Sequence, residues 1–187
     1  MTLLIIGIIA FIGLHLIPYF AIEFRNNLIG KLGKLGYRGI FALAVALSMA
    51  AIIFGWRGTD PGFVYANPSW GFHVTPLLVL IGFLLFFASN APTNIKRAIR
   101  HPQMTGILLW AVGHLFSNGE ARSVLLFGGF ALWSIIAIIA ANRRDGMWIK
   151  PEKQPVIKDV ITIIIALVAY GAFTHFHETI IGVRPFP

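Results

Sequence analysis

Long apolar stretches alternate with short polar connections along the chain, and this alternation predicts membrane-spanning helices. An α-helix rises about 1.5 Å per residue, so roughly 20 apolar residues cross a hydrocarbon core about 30 Å thick. Six stretches reach or approach that length: Leu3–Ile22, Gly39–Trp56, Val74–Ala91, Thr105–Phe116, Val124–Ala141 and Val160–Phe176. We therefore predict an all-α polytopic membrane protein, a six-transmembrane-helix bundle that forms a single domain over residues 1–187. The fourth stretch is short, so it needs polar flanks or a buried setting.

The composition agrees with this fold class. The chain is 57% hydrophobic and 12% charged, with a mean hydropathy of +0.80, which exceeds what a water-soluble domain needs. No Lys or Arg precedes the first stretch and no small-x-small cleavage site follows it, so we expect it to be retained as the first helix. The sequence contains no cysteine, which excludes disulfides, thiolate ligands and cysteine nucleophiles.

The positive charges are sorted by connection. The net charge is +8, yet the basic residues do not form a patch with interleaved aromatic residues, so we expect no nucleic-acid partner. The side of the six-helix arrangement that holds the termini carries only three basic residues, Arg57, Arg122 and Arg184. Because basic residues concentrate on the cytoplasmic side, we expect both termini outside the cytoplasm. The opposite side carries the other twelve and favours contact with anionic lipids: Arg25, Lys31, Lys34, Arg38, Lys96, Arg97, Arg100, Arg143, Arg144, Lys150, Lys153 and Lys158.

Three connections carry structural signals. The segment "GKLGKLGYRG", residues 30–39, predicts an interfacial loop or a short amphipathic turn. The segment "RGTDPGFVYANPSWGFH", residues 57–73, predicts a folded external cap with interfacial aromatic residues, with a lid as the alternative. The segment "SNGEAR" predicts a tight turn with positive φ at Asn118-Gly119. Helices four and five are then antiparallel neighbours.

Two of the six histidines lie deep within apolar stretches. His15 and His114 are each roughly 18 Å from the start of a predicted helix, near the middle of the bilayer. A polar side chain at that depth must find a partner, either a shared ligand or a hydrogen bond to a neighbouring carbonyl. Neutral imidazoles without a nearby Asp, Glu or Cys suit axial ligation of a haem iron better than a tetrahedral zinc site.

The residues that precede each of these histidines share a spacing. Gly106, Trp110 and His114 lie at successive i+4 positions, and Gly7, Phe11 and His15 repeat the order. This gives each histidine a face with an aromatic ring and a gap that a flat macrocycle would fit, although small residues at this spacing are also ordinary helix-packing contacts.

The remaining histidines lie at helix ends: His73, His101, His175 and His177. His101 is 13 residues before His114, too far along a helix to share one metal atom with it. In "HFHE", His175 and His177 are i and i+2 and so lie on different faces, which favours an amphipathic helix end over a surface metal site.

The segment "RHPQMTGILLWAVGHLFSNGEARSVLLFGGFALWS" resembles the NnrU family of bacterial membrane proteins, named for a link to nitrite and nitric oxide reduction. Its most specific parts are R-H-P-Q at 100–103, W-A-x-x-H-L at 110–115, N-G-E at 118–120 and the following "LFGGFALW". The first-helix "GLHLIP" and the "SNAPTN" of residues 89–94 are similar more loosely. That family is similar in turn to zeta-carotene isomerase, a membrane haem b protein.

The resemblance implies haem b held axially by His15 and His114, in a bacterial inner-membrane protein. It also implies a role in nitric oxide or denitrification metabolism, or isomerase-like chemistry, with nitric oxide or an apolar substrate as the small-molecule partner. Ala111 stands where some isomerases have a cysteine, a departure that counts against ligand switching rather than against bis-histidine binding.

Arg100 and His101 admit two interpretations. In a haem protein they would anchor a haem propionate or a lipid phosphate, with helix capping beside Pro102 as the structural alternative. The motif "RHPQMTG" also resembles the cofactor-binding segment of isoprenylcysteine-type and methanethiol methyltransferases. There Arg100, His101 and Gly106 would bind S-adenosylmethionine, although Met104 replaces the usual tyrosine.

Overall fold

A computed structural model describes residues 1–185 and confirms the all-α prediction. Within that part of the chain it contains six α-helices and no β-strand, apart from one isolated bridge between Phe63 and Glu120. A 3₁₀ turn, Asn94–Arg97, precedes α4. The helices are α1 Thr2–Phe20, α2 Ile22–Arg57, α3 Gly71–Asn90, α4 Pro102–Ser117, α5 Ala121–Asp145 and α6 Val156–Ile181.

Five of these helices are long and apolar enough to cross a membrane, so the chain is a multi-pass membrane protein in a lipid bilayer. The exception is α4, whose 16 residues rise about 24 Å. It packs against both α3 and α5, the buried setting that its shortness requires. The structure divides into two compact units, Met1–Gly62 and the chain from Phe63 onward. A single domain over residues 1–187 stays a prediction.

The first unit is a pair of helices that pack closely through glycines. A methyl group added at Gly7 of α1 would lie 2.7 Å from the Ile52 backbone nitrogen of α2. The predicted loop at residues 30–39 is instead helical, and α2 is interrupted only at Gly33, with φ 71° and ψ 164°. On either side of Gly33 the chain is helical, so most backbone groups that a loop would leave to water are paired within a helix.

In the second unit, α3 and α4 meet along a seam of glycines. A methyl group added at Gly106 would lie 2.6 Å from the Gly82 carbonyl oxygen, and one added at Gly113 would lie 3.2 Å from Leu78 Cβ. Thr75 of α3 crosses the same seam, donating its hydroxyl to the carbonyl oxygen of Gly113 at 2.6 Å. Small residues allow this approach, which supplies dispersion contacts that lipid cannot replace.

The connection after Asn90 is tied to the start of α6 by a polar cluster. Thr93 is almost fully buried, and its hydroxyl accepts from the Ile95 backbone N–H at 2.9 Å. The backbone N–H and the side-chain amide of Asn94 donate to the two carboxylate oxygens of Asp159, at 2.7 and 2.6 Å. Gln154 donates its backbone N–H to Asn94 Oδ1 at 2.9 Å. This cluster gives the "SNAPTN" segment a structural role.

The segment before α3 folds over the turn between α4 and α5, as the cap prediction expects. The backbone N–H of Val64 donates to Gly119 O at 2.9 Å, and Asn67 Nδ2 donates to Ser117 O at 2.6 Å. The prediction of positive φ at Asn118-Gly119 is wrong, because no positive φ occurs there. Glycine is required at 119 for space, because an added methyl group would collide with the backbone carbonyl oxygen of Tyr65.

The glycine seam generates the first prediction. Gly106→Ala should lower the free energy of unfolding in detergent by about 1–3 kcal/mol, because the added methyl group forces α3 and α4 apart. Gly128→Ala is the matched control on α5, where nothing lies within 4 Å of an added methyl group. Alanine has a higher helix propensity than glycine, so Gly128→Ala should leave the free energy of unfolding unchanged or raise it by up to about 1 kcal/mol. Equal stability of the two variants would contradict the seam.

Candidate functional site: a histidine-lined cavity

The second unit encloses a cavity of about 390 Å³ that His114 helps to line. Three helices each contribute one face to it. The contributing positions on α6 are Tyr170, Phe173, Thr174 and His177, spaced i, i+3, i+4 and i+7, as expected for a single helical stripe. The volume falls within the range of small-molecule sites, roughly 300–1,000 Å³.

The cavity has an apolar interior and a polar mouth. Aromatic and aliphatic side chains of α3, α4 and α6 form its walls: Phe72, Pro76, Val79, Phe83, Trp110 and Phe173. Polar and charged residues contribute the rest of the lining, notably Ser117, Asn118, His177 and Arg184. The arrangement suits a ligand with an apolar body and one polar end.

His114 is held in a defined orientation by α4 and α5. Its Nδ1 lies 2.8 Å from the carbonyl oxygen of Trp110, one turn earlier. Its ring stacks on Phe127 of α5, with centroids 4.4 Å apart and planes inclined by 22°. A carbonyl oxygen can only accept, so Nδ1 carries the proton of the neutral ring and Nε2 carries the lone pair.

His15 repeats this geometry in the first unit. Its Nδ1 lies 2.8 Å from the Phe11 carbonyl oxygen, again one turn earlier. The ring stacks on Phe11 at 4.1 Å and meets Phe41 of α2 edge-on at 5.6 Å. The same reasoning assigns the Nε2 lone pair to His15. Each histidine is described within its own unit.

Gly106 and Trp110 have separate roles. Gly106 faces Gly82 at the glycine seam, which is the helix-packing alternative for this position. Trp110 lines the His114 cavity and a second, apolar cavity of about 320 Å³ that also includes Gly106 and Phe130. Trp110 meets Phe127 and Phe130 edge-on, at 5.0 and 5.6 Å.

Arg100 and His101 lie at the other end of α4 from His114. His101 is the residue before the first turn, and its Nε2 lies 3.0 Å from Asn142 Oδ1 near the end of α5. Thirteen residues of helix place it about 19.5 Å along the axis from His114. The two residues therefore lie near the end of α5, away from the histidine-lined cavity.

Sequence reasoning missed most residues of the cavity lining, among them His177 and Arg184. His177 Nδ1 lies 2.7 Å from the carbonyl oxygen of Val183, beyond the end of α6. The stripe spacing with Tyr170, Phe173 and Thr174 was the signal that could have separated His177 from exposed His175. Among residues 1–185, no cluster of three or more His, Cys, Asp or Glu side chains could hold a metal ion.

Comparison with known proteins adds the family. The model of the NnrU protein family matches residues 3–185. The chain belongs to the NnrU family. No curated protein and no solved structure matches the chain. In this NnrU-family chain the matched region includes His15, His114 and the whole lining of the cavity.

The cap above the cavity generates the second prediction. The Tyr65 hydroxyl shares its single proton between the carbonyl oxygens of Leu115 and Asn118, which follow His114 along the chain. Tyr65→Phe should lower the free energy of unfolding by about 1 kcal/mol at neutral pH, the typical net value of one hydrogen bond.

The stabilisation by the Tyr65 hydroxyl depends on pH, in a direction set by the shift of the phenol pKa. Burial raises the pKa of the Tyr65 phenol above its ordinary value. The stabilisation is therefore complete below about pH 10, the unfolded pKa, and is lost as the pH rises through the folded pKa. The stability difference between wild type and Tyr65→Phe, measured by denaturation from pH 7 to 11, should shrink only at the alkaline end. A constant difference would contradict the role of the hydroxyl.

Proposed function

We propose that this protein is an integral membrane haem b-binding protein in which His15 and His114 are the axial ligands. The observation that carries the proposal is their matched geometry. In each, Nδ1 lies 2.8 Å from the carbonyl oxygen of an aromatic residue one turn earlier, and an aromatic ring stacks on the imidazole. Metal-ligating histidines commonly donate their other N–H in this way, which fixes the tautomer and raises the basicity of the ligating nitrogen.

The two side chains suit a macrocyclic iron in particular. A haem supplies four nitrogens of its own, so two imidazole Nε2 atoms complete its coordination. When bound, haem would supply one-electron chemistry, and a diatomic gas could bind to it only in place of one imidazole. The protein's part is to hold each Nε2 lone pair in a fixed direction, by a backbone hydrogen bond and a stacked ring, within a largely apolar setting.

The biological role that we propose comes from the family. NnrU proteins are named for nitrite and nitric oxide reduction, so we place this chain in nitric oxide or denitrification metabolism, with isomerase-like chemistry on an apolar substrate as the other possibility. The location is a bacterial inner membrane, with both termini outside the cytoplasm. Under this topology Arg100 and His101 lie at the cytoplasmic face, where lipid phosphates are available as anionic partners.

The alternative of an S-adenosylmethionine-dependent methyltransferase gains no support from the geometry. Gly106 packs against the α3 backbone at Gly82, and His101 lies within hydrogen-bond distance of Asn142. Neither contact directs these residues to a common ligand.

Optical spectroscopy of the purified protein tests the proposal. We expect a six-coordinate, low-spin spectrum, because two imidazoles leave no open position, and nitric oxide should bind only by displacing one of them. His114→Ala and His15→Ala should each give a five-coordinate or haem-poor protein. Haem affinity should fall at least about tenfold, since even changes in outer-shell partners cost 10- to 100-fold.

His73→Ala and His175→Ala are the matched controls, since both residues lie at helix ends and both are exposed. They should keep the wild-type spectrum, which distinguishes specific ligation from adventitious haem binding. No Soret band after expression with haem supply would refute haem binding. A wild-type spectrum in both His15→Ala and His114→Ala would leave the two histidines as hydrogen-bonded packing residues.

A further inference from the structure

The mouth of the His114 cavity is built by the turn that ends α6. Gly182 adopts the left-handed conformation, with φ 87°, and its N–H donates to the Glu178 carbonyl oxygen at 2.8 Å. The chain then reverses, so that the carbonyl oxygen of Val183 accepts from His177 Nδ1 at 2.7 Å. These two bonds place Arg184 in the lining of the cavity, beside His177.

Arg184 presents its guanidinium at the polar mouth of the cavity, whose interior walls are largely apolar. Its side chain is 78% exposed and forms an ion pair with Glu178, and both bonds, at 3.2 and 3.3 Å, use the Nε atom. A guanidinium carries five N–H donors in a planar fork, so the Nη1 and Nη2 groups can still bind a second carboxylate in a bidentate manner. Glu178 is the competing anion at this position.

We infer that the His114 cavity binds a molecule with an apolar body and a carboxylate end, and that Arg184 binds the carboxylate at the mouth. The aromatic walls match the apolar body, and Arg184 is the fixed positive charge among the residues that line the cavity. The inference deepens the proposed function and rests on it for one source of the ligand, because haem b is a flat apolar molecule with two carboxylates. A fatty acid is the other source with the same chemistry.

The inference assigns the carboxylate to a different residue from the sequence pattern. Arg100 and His101 precede the first residue of α4, at the end opposite His114. His101 is about 19.5 Å from His114 along the helix axis. Arg184 lines the cavity that His114 itself lines. Arg184 and Arg100 are thus rival anchors that substitution can separate.

The test is a titration of haem-free protein in detergent with haem and with haem dimethyl ester, whose carboxylates are blocked. Arg184→Gln should weaken haem binding about tenfold, the typical effect of losing one charge-assisted hydrogen bond. The same variant should bind the dimethyl ester as wild type does. Glu178→Gln should act in the opposite direction and strengthen haem binding a few-fold, because it removes the competing carboxylate.

Two further variants complete the set. Arg143→Gln makes the same charge change at the end of α5, outside the cavity lining, and should leave both affinities unchanged. Arg100→Gln tests the rival anchor. Arg184→Gln should also keep the six-coordinate, low-spin spectrum, since it removes no iron ligand, and this spectrum serves as the check that the variant is folded.

A parallel titration with cis-parinaric acid and its methyl ester separates this inference from the proposed function. If haem fails to bind but parinaric acid binds in an Arg184-dependent manner, haem binding is refuted and the carboxylate site stands. If haem binds with the expected spectrum, but the affinities for haem and for parinaric acid are both unchanged in Arg184→Gln, haem binding stands and the carboxylate site is refuted. Loss of affinity in Arg100→Gln but not in Arg184→Gln would also overturn the inference.

Discussion

The close approach of α3 and α4 is the contact on which the second unit depends. Lipid is as apolar as a leucine side chain, so these helices gain little from burying hydrocarbon and must gain from dispersion contacts and hydrogen bonds between them. Gly82 and Gly106 supply the first by bringing two backbones together, and Thr75 supplies the second through its bond to Gly113. A single methyl group added at this seam would change the distance between α3 and α4. Other faces of the same two helices line the cavity, so its shape depends on this distance.

His114 and His15 show how a helix can orient an imidazole through its own backbone. His114 obtains its orientation from a carbonyl of its own helix and from the Phe127 ring, and His15 does the same with Phe11. A backbone acceptor one turn away is available to any helical residue, so this arrangement needs no buried carboxylate and avoids the cost of desolvating one. The sequence signature is correspondingly slight: a histidine four residues after an aromatic residue.

Hydrophobic patterning predicted the helices well because the requirement to span a membrane governs both length and composition. It predicted residues 30–39 poorly, since several glycines and lysines there resemble a loop although the chain is helical on both sides of Gly33. The turn at Asn118-Gly119 shows a related limit: glycine was correctly singled out, but the reason is the nearby backbone carbonyl oxygen of Tyr65, which is distant in sequence. The bonds of Asn94 to Asp159 and the inclusion of Arg184 in the cavity depend on such distant contacts, so local spacing could not reveal them.

The interruption at Gly33 has a consequence for how deeply the first unit sits. Combining φ 71° with ψ 164° breaks the ladder of helical hydrogen bonds, so carbonyl groups before Gly33 and N–H groups after it lack their usual partners along the helix. Hydrocarbon offers no substitute for those partners, whereas water and lipid headgroups do. The break therefore belongs at the membrane surface, between Lys31 and Lys34. From there to Arg57 the helix rises about 36 Å, so this one glycine acts as a depth marker that sets the register of the following span against the bilayer.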